Sequence, residues 1–276
     1  GHESAPFTDR FVHSIKVTGD DVNWLLEKVI TSSASEEIAS CGEDGIMIKF
    51  NKKKGGASVY RYLFFDLDGT LTDSKAGILN CLRYAFEKLG EPVPPEETLL
   101  AFIGPPLQDS FMRYCGFSPE LAAEGIRLFR ERYVPVGKFE NAAAPGMADL
   151  CRRLKERGYV LALASSKPEE LCVPICEKFG FAPSLTVIAG SPPESDWEKS
   201  DVIRETMRRL HLEEAQKDEI LMVGDRKFDV LGAMECGIGC VGVEFFGYAA
   251  PGELEDAGAL AVARTAEELE HWILTH

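Results

Sequence analysis

The sequence predicts an α/β fold, a doubly wound parallel sheet with an inserted α-helical cap and a small α+β extension at its N-terminus. Two observations lead to this prediction. Short apolar runs recur from residue 60 onward without polar alternation, as in strands that are buried on both faces of a parallel sheet. Helical patterns alternate with these runs, except in one long interval that is helical throughout.

Five apolar runs are the predicted strands of the sheet: 62–65, 160–164, 185–189, 220–223 and 240–243. Helices are predicted between them over 145–157, 168–178 and 228–235. A capping box of Thr265 and Glu268 starts the last helix. These elements assign residues 59–77 and 143–276 to an α/β core.

Residues 78–142 interrupt the alternation and are predicted to form the cap. Apolar residues recur at helical spacing around Leu82, Phe111 and Leu128, and Ser118 followed by Pro119 is a typical helix start. A helical insertion directly after the first strand of the sheet predicts a lid that moves near Gly77 and Ala142.

Residues 1–58 form a separate extension of unknown role. An alternating strand is predicted over 11–17, an amphipathic helix over 20–30 and a second strand over 46–50. The lysines and glycines of 52–56 indicate an exposed joint. We expect this unit to pack on the core, with homodimer formation or partner recognition as alternatives.

The amino-acid composition argues against several kinds of binding partner and metal site. The 276 residues include 30 basic and 45 acidic side chains, a net charge of -15 that disfavours nucleic acid and anionic membranes as partners. The eight scattered cysteines contain no C-x-x-C pair, which argues against zinc and favours the reducing cytoplasm. No apolar run approaches the length of a membrane span. Because the net charge is strongly negative, a binding site for a phosphorylated small molecule would need positively charged groups within the site itself.

Polar side chains follow three of the predicted strands, where ligands gather in open α/β sheets. They are Asp66, Asp68 and Thr70 after the first strand, Ser165, Ser166 and Lys167 after the second, and Asp225 and Asp229 after the fourth. Several carboxylates at one edge cannot all stay ionised without a cation. Oxygen ligands of this kind favour Mg²⁺.

These residues lie in segments that resemble the motifs of the haloacid dehalogenase superfamily of phosphatases. DLDGTLTDS at 66–74 resembles the first motif, and ALASSKP, WEKSDVI and MVGDRKFD at 222–229 resemble the second to fourth, in order. The helical insert and FIGPPLQDSF at 102–111 resemble the phosphoglycolate phosphatase branch and its nucleotidase-like relatives. The resemblance covers about residues 59–274.

The resemblance implies a role for each matching residue. Asp66 would be the nucleophile that forms a phosphoryl-aspartate, Asp68 the acid/base, and Thr70 a residue that fixes the loop. Ser165 and Lys199 would hold the transferring phosphoryl group.

The metal site follows from the same resemblance. Mg²⁺ would bridge Asp66, the backbone carbonyl of Asp68 and Asp225, with Asp229 in support. Lys167 rivals Lys199 as the phosphate-binding lysine.

Other residues are candidates for substrate binding. Ser166 and Lys167 would contact the phosphate or the rest of the substrate, and Lys75 and Arg113 are candidate anion contacts from the cap. The turn at 104–106, Gly-Pro-Pro, is stiff enough to project into the site.

The leading hypothesis is Mg²⁺-dependent hydrolysis of a small phosphomonoester, such as phosphoglycolate or a nucleoside monophosphate. A sugar phosphomutase of the same superfamily is the first alternative, because it would use the same aspartyl-phosphate. A non-catalytic phosphate-binding module is the second.

Overall fold

The computed structural model describes residues 60–193 and 195–276, together with the backbone of three strands nearer the N-terminus. These strands are β1 (Val12–Val17), β2 (Glu37–Gly42) and β3 (Gly45–Asn51), and they form an antiparallel sheet in the order β1-β3-β2. The strands predicted at 11–17 and 46–50 are confirmed, whereas β2 was not predicted. The helix predicted over 20–30 and the joint at 52–56 lie outside the described residues.

The core is a sheet of six parallel strands, five of which the sequence predicted. The strands are β4 (Tyr62–Phe65), β7 (Val160–Pro168), β8 (Leu185–Ser191), β9 (Ile220–Gly224), β10 (Gly239–Val243) and β11 (Val262–Ala263). Their order is β11-β10-β9-β4-β7-β8. Two short strands, β5 (Thr72–Asp73) and β6 (Ala142–Ala143), pair antiparallel outside this sheet.

Ten helices are described. In the cap they are α1 (Lys75–Leu89), α2 (Glu96–Leu100), α3 (Leu107–Cys115) and α4 (Pro119–Tyr133). In the core they are α5 (Met147–Glu156), α6 (Glu169–Lys178), α7 (Lys199–Arg209), α8 (Lys227–Glu235), α9 (Glu253–Asp256) and α10 (Ala266–Thr275). No helix among the described residues is long and apolar enough to cross a membrane.

Strand β4 shows why the sheet is wound on both faces. All four of its side chains are buried. Phe65 packs with Met147 of α5 on one face, and Phe64 packs with Val202 of α7 on the other. An unbroken apolar run is therefore required, since each face of the strand meets a helix layer.

The strand order places a crevice beside β4. From β4 the chain continues to β7 and β8 on one side, and then crosses to β9, β10 and β11 on the other. The order reverses between β4 and β9, and ligands of open α/β sheets bind at the carboxyl ends of the strands at such a point.

The cap has a core of its own and joins the sheet through two crossing segments. Phe86, Phe111 and Leu128 pack in a cluster separate from the two beside the sheet. The two segments that connect the cap to the sheet are held together by the pairing of β5 with β6. A Cβ on Gly77 would lie 2.1 Å from the carbonyl oxygen of Gly137, so the segments touch backbone to backbone there.

Cys172 and Cys176 are four residues apart, as are Cys236 and Cys240, and this spacing predicts two core residues on one helix face for each pair. The prediction is wrong for one of the two pairs. Cys172 and Cys176 are buried on α6, in agreement with two core residues on one helix face. Cys236 follows the end of α8 and Cys240 lies on β10, so this second pair does not share a helix.

Gly77→Ala is expected to lower the free energy of unfolding by about 1–3 kcal/mol, because the added methyl group meets a backbone carbonyl that cannot move without opening the crossing. Urea unfolding of the two proteins measures the difference. Ala76→Ser, at the exposed neighbouring position of α1, is the control and should change stability little. Equal stability of Gly77→Ala and wild type would show that the crossing is loose.

Candidate active site

Asp66 is placed at the crevice by the end of β4. Its backbone N–H donates to the carbonyl of Val223 on β9, at 2.9 Å. The chain then turns back on itself: the N–H groups of Leu71 and Thr72 both donate to the Leu67 carbonyl, at 2.9 Å. The turn holds the aspartates of the first motif at the carboxyl end of the sheet.

Gly69 lets this turn approach Asp225. Its φ is +86°, and a Cβ there would lie 2.0 Å from Asp225 Oδ2. Thr70 Oγ1 donates to Asp225 Oδ1 at 3.2 Å. This hydrogen bond ties the turn to Asp225, and only glycine fits beside the carboxylate. The role of Thr70 in fixing the loop stays a prediction.

Three aspartates converge at the reversal of strand order. Asp66, Asp225 and Asp229 each offer a carboxylate oxygen, and these atoms lie within 4.8 Å of one another. Burial, with the nearby Asp229 and Asp66 charges, raises the pKa of Asp225 well above its ordinary value. Asp225 Oδ2 is buried and has no hydrogen-bond partner among the described residues.

The donor set of this cluster fits a divalent cation. It consists of carboxylate oxygens, which are ligands of hard cations such as Mg²⁺. The buried Asp225 Oδ2 has no hydrogen-bond partner among the described residues, as expected of an oxygen that binds an ion. An ion would also remove the repulsion that raises the pKa of Asp225.

Lys199 connects the nucleophile candidate to the acidic cluster. Its Nζ lies 2.6 Å from Asp66 Oδ1 and 2.7 Å from Asp229 Oδ1, and donates to the Ala164 carbonyl at 3.2 Å. Burial opposes the charged ammonium, but Asp229 and Asp66 outweigh it, and the pKa of Lys199 is raised. Helix α8 can pack closely against Lys199 because Gly232, on that helix, has no side chain.

Lys167 pairs with a different aspartate. Its Nζ binds Asp68 Oδ2, and it lies 5.0 Å from the centre of the Tyr133 ring. Burial opposes its charge as well, yet Asp68 outweighs this effect and raises the pKa of Lys167. The two lysines that the sequence presents as rivals therefore occupy separate positions, one beside each aspartate of the first motif.

The two serines of the second motif point in different directions. Ser165 is buried on β7, directly after the apolar run, and its Oγ accepts from the backbone N–H of Lys167 at 3.3 Å. The Ser166 side chain is exposed, and its carbonyl accepts from Ser191 Oγ at 2.9 Å. Only Ser165 is held beside the lysine that faces Asp68.

The two cap candidates have contacts within the cap. Lys75 Nζ lies 3.6 Å from Glu96 Oε1, and Arg113 is exposed with its guanidinium 5.8 Å from the centre of the Tyr114 ring. The structure does not join either residue to the aspartates, so their anion-binding role stays a prediction.

Three residues that sequence reasoning missed join the cap and its linkers to the core. Arg226 Nη1 donates to the Ile103 carbonyl of the cap at 2.7 Å, and its Nε donates to Glu253 at 2.8 Å. Tyr248 donates to Asp73 of β5, and Tyr133 of α4 lies under Lys167. The position of Arg226 directly after Asp225 was a signal; nothing local marks the two tyrosines.

The Gly-Pro-Pro turn reaches the core. Gly104 has a φ of +108°, and a Cβ there would lie 2.7 Å from Arg226 Nη1. The expected projection of this turn toward the site is therefore observed, next to the residue that follows Asp225.

Comparison with known proteins identifies the fold and chemistry that this chain resembles. A family described as haloacid dehalogenase-like hydrolase matches residues 63–243. A 5′-nucleotidase of Pseudomonas aeruginosa is 37% identical over 71% of the chain and 87% of its own length. A predicted phosphatase from Clostridium acetobutylicum has the same identity and a TM-score of 0.72, covering 78% of this chain and 99% of that one.

A tyrosine-protein kinase, PtkA of Mycobacterium tuberculosis, is also similar. It is 35% identical over 75% of the chain and 70% of its own length. A phosphoglycolate phosphatase of Vibrio parahaemolyticus is 28% identical over 67% of the chain and 84% of its own length. Proteins named for phosphate removal and for phosphate transfer thus share this framework.

Gly69→Ala is expected to destroy the metal cluster, because the methyl group would displace the Asp225 carboxylate. Thermal stabilisation by added Mg²⁺ should be lost. Gly158→Ala is the matched control, since its φ of +94° causes similar backbone strain but its Cβ would meet open space. If both variants kept the same Mg²⁺ response, the close approach of the turn to Asp225 would be wrong.

Asp225→Asn is expected to stabilise the metal-free protein at neutral pH. A raised pKa means that the native state holds a proton that the unfolded chain has released, so the free energy of unfolding falls as pH rises above about 4. The asparagine side chain does not ionise, so Asp225→Asn removes the part of this loss of stability that comes from ionising residue 225.

Urea unfolding in a chelator at acidic and neutral pH measures the effect. Asparagine should raise stability at neutral pH by about 1–2 kcal/mol and flatten the pH dependence. Asp109→Asn, at an exposed position of α3, is the control. A wild-type protein that is as stable at neutral pH as at acidic pH would contradict the prediction.

Proposed function

This chain belongs to the haloacid dehalogenase-like hydrolase family, and we propose from that premise that it is a Mg²⁺-dependent phosphatase acting on a small phosphomonoester. The observation that carries the proposal is the convergence of Asp66, Asp225 and Asp229 within 4.8 Å, with Lys199 bonded to the first. A nucleophile, a cation site and a fixed ammonium are thereby brought to one edge of the sheet.

Asp66 is the proposed nucleophile. Its carboxylate attacks phosphorus and forms an aspartyl-phosphate, which splits one difficult displacement into two easier steps. The Lys199 ammonium, 2.6 Å from Asp66 Oδ1, places positive charge where the oxygens of the transferring group gather. The buried Ser165 hydroxyl supplies a donor from the neighbouring strand.

Asp68 is the proposed acid/base. It gives a proton to the leaving oxygen in the first step and takes one from water in the second. Lys167 holds its carboxylate in place, and Thr70 keeps the turn against Asp225. The turn and its two partners thereby fix the distance between the nucleophile and the acid.

Asp66, Asp225 and Asp229 would hold the metal ion. When bound, Mg²⁺ supplies positive charge that offsets the clustered carboxylates and attracts the phosphate oxygens. Asp229 also bonds to Lys199, which couples the position of that lysine to the metal site.

The substrate class is suggested by the relatives and by the cap. The relatives include proteins named 5′-nucleotidase and phosphoglycolate phosphatase, so a nucleoside monophosphate and a phosphoglycolate-like ester are the proposed candidates. The Arg226–Ile103 hydrogen bond holds the cap against the core beside Asp225. Closure of the cap in this way excludes bulk water during transfer, and its opening releases the product.

A second acceptor is a specific alternative to water. The similarity to a protein named tyrosine-protein kinase suggests that the same aspartyl-phosphate could pass its phosphoryl group to a tyrosine. A sugar phosphomutase would return it to the substrate. Water is the proposed acceptor because the relatives include proteins named 5′-nucleotidase and phosphoglycolate phosphatase, which are names for enzymes that hydrolyse phosphate esters.

Asp66→Asn is expected to lower the rate of phosphate release at least about a thousandfold, because the amide cannot act as the nucleophile. Inorganic phosphate released from phosphoglycolate, nucleoside monophosphates and an aryl phosphate measures the rate, with and without Mg²⁺. Asp109→Asn is the control and should retain wild-type rates.

Other outcomes separate the alternatives. Unchanged turnover in Asp66→Asn would disprove catalysis at this site. Label from the phosphoryl donor that appears on a tyrosine-containing acceptor would identify a transferase, and a requirement for a bisphosphate activator would identify a mutase.

A further inference from the structure

Tyr133 combines two properties that the proposed mechanism does not use. It is the last residue of α4 and only 3% exposed, and no described residue accepts a hydrogen bond from its hydroxyl. Buried hydroxyls in proteins nearly always find a partner, in the protein, in ordered water or in a ligand. The missing acceptor for the Tyr133 hydroxyl therefore requires an explanation.

The position of the Tyr133 ring indicates what kind of group could accept its hydrogen bond. The Lys167 ammonium lies over the ring face, 5.0 Å from its centre, and the same ammonium binds Asp68. The charges of Lys167 and Asp68 both act on the Tyr133 hydroxyl, and the Lys167 ammonium also acts on it as a hydrogen-bond donor. An ammonium cannot accept a hydrogen bond, so the O–H proton of Tyr133 still lacks an acceptor. The phenol of Tyr133 is thus a cap side chain that contacts the core, and it lies beside Asp68, the proposed acid/base.

The side chain is held in place rather than free to turn away. Phe129 stacks on it with ring centres 5.0 Å apart and planes 16° from parallel. A Cβ on Gly137 would lie 3.1 Å from the Tyr133 ring, so the crossing segment closes its other side. Burial raises the pKa of Tyr133 to about 12, and the phenol remains a hydrogen-bond donor at neutral pH.

We propose that Tyr133 determines specificity by donating a hydrogen bond to an oxygen of the leaving group, beyond the ester oxygen that Asp68 protonates. This inference rests on the proposed function, since it needs a phosphomonoester bound in the crevice. The substrate class is a phosphate ester with an O–C–C–O unit, in which a hydroxyl, ether or carboxylate oxygen follows the ester oxygen by two carbons. Phosphoglycolate and nucleoside 5′-monophosphates both contain this unit.

The side chains around the Tyr133 hydroxyl favour an oxygen of the substrate as its acceptor. Lys167 is already engaged with Asp68, so it is poorly placed to serve as the main contact of the leaving group. The phenol offers a donor without a further charge. A buried donor that waits for one acceptor also discriminates against ligands that lack it, because those ligands leave it unpaired.

The test compares Tyr133→Phe with wild type on two substrates of nearly equal shape, 2-hydroxyethyl phosphate and n-propyl phosphate. Phenylalanine keeps the ring under Lys167 and removes only the hydroxyl. We expect kcat/KM for 2-hydroxyethyl phosphate to fall about five- to tenfold, as for loss of one hydrogen bond, and kcat/KM for n-propyl phosphate to stay within about twofold.

Tyr84→Phe is the matched control. Tyr84 lies on α1 of the cap, and its hydroxyl donates to Glu131 at an exposed position, so both substrates should be turned over at wild-type rates. Thermal melting of each variant shows whether the fold is retained.

Two outcomes would overturn the inference while leaving the proposed function intact. Equal losses on both substrates would show that the phenol positions Lys167 and Asp68, and no change on either would show that ordered water satisfies the hydroxyl. If the wild-type protein releases no phosphate from any ester, the proposed function itself fails, and the inference fails with it.

Discussion

The site depends on the pairing of buried acids with buried ammonium groups. Four aspartates lie at the carboxyl ends of β4 and β9 in a chain whose overall charge is already strongly negative. Desolvated carboxylates at this spacing repel one another unless positive charge is placed among them. Lys199 and Lys167 provide two such charges, and the unpartnered oxygen of Asp225 indicates where a third, the metal ion, would act.

The positions of the two lysines follow from this constraint. Lys199 begins a helix, where a lysine is usually solvated, and yet it is buried because Gly232 allows α8 to pack directly over it. Lys167 lies on a strand that extends beyond the apolar run and directs the side chain toward Asp68. Each lysine is held by the acid that it compensates, so the arrangement is rigid before any substrate binds.

The cap contributes by contacts that form only where its elements return to the core. Arg226 bonds to the Ile103 carbonyl, Tyr248 to Asp73, and Tyr133 lies under Lys167. Two of these contacts adjoin the acidic residues, because Arg226 directly follows Asp225 and Lys167 pairs with Asp68. A cap attached by crossing segments and held by a few polar contacts can open at moderate energetic cost, as a site that admits and releases small molecules requires.

The sequence by itself determined the parallel sheet, the helical insertion and the acidic residues at the strand ends. These features are local: β4, β9 and residues 160–164 of β7 are unbroken apolar runs, and Asp66 and Asp225 directly follow β4 and β9. The sequence did not reveal β2, whose mixed polarity gives no clear alternation, or β11, which is only two residues long. Only the tertiary structure decided which lysine serves which aspartate and which cap residue meets them. Lys167 and Asp68 are 99 residues apart, and no local pattern records a pairing that depends on how helices and strands pack in space.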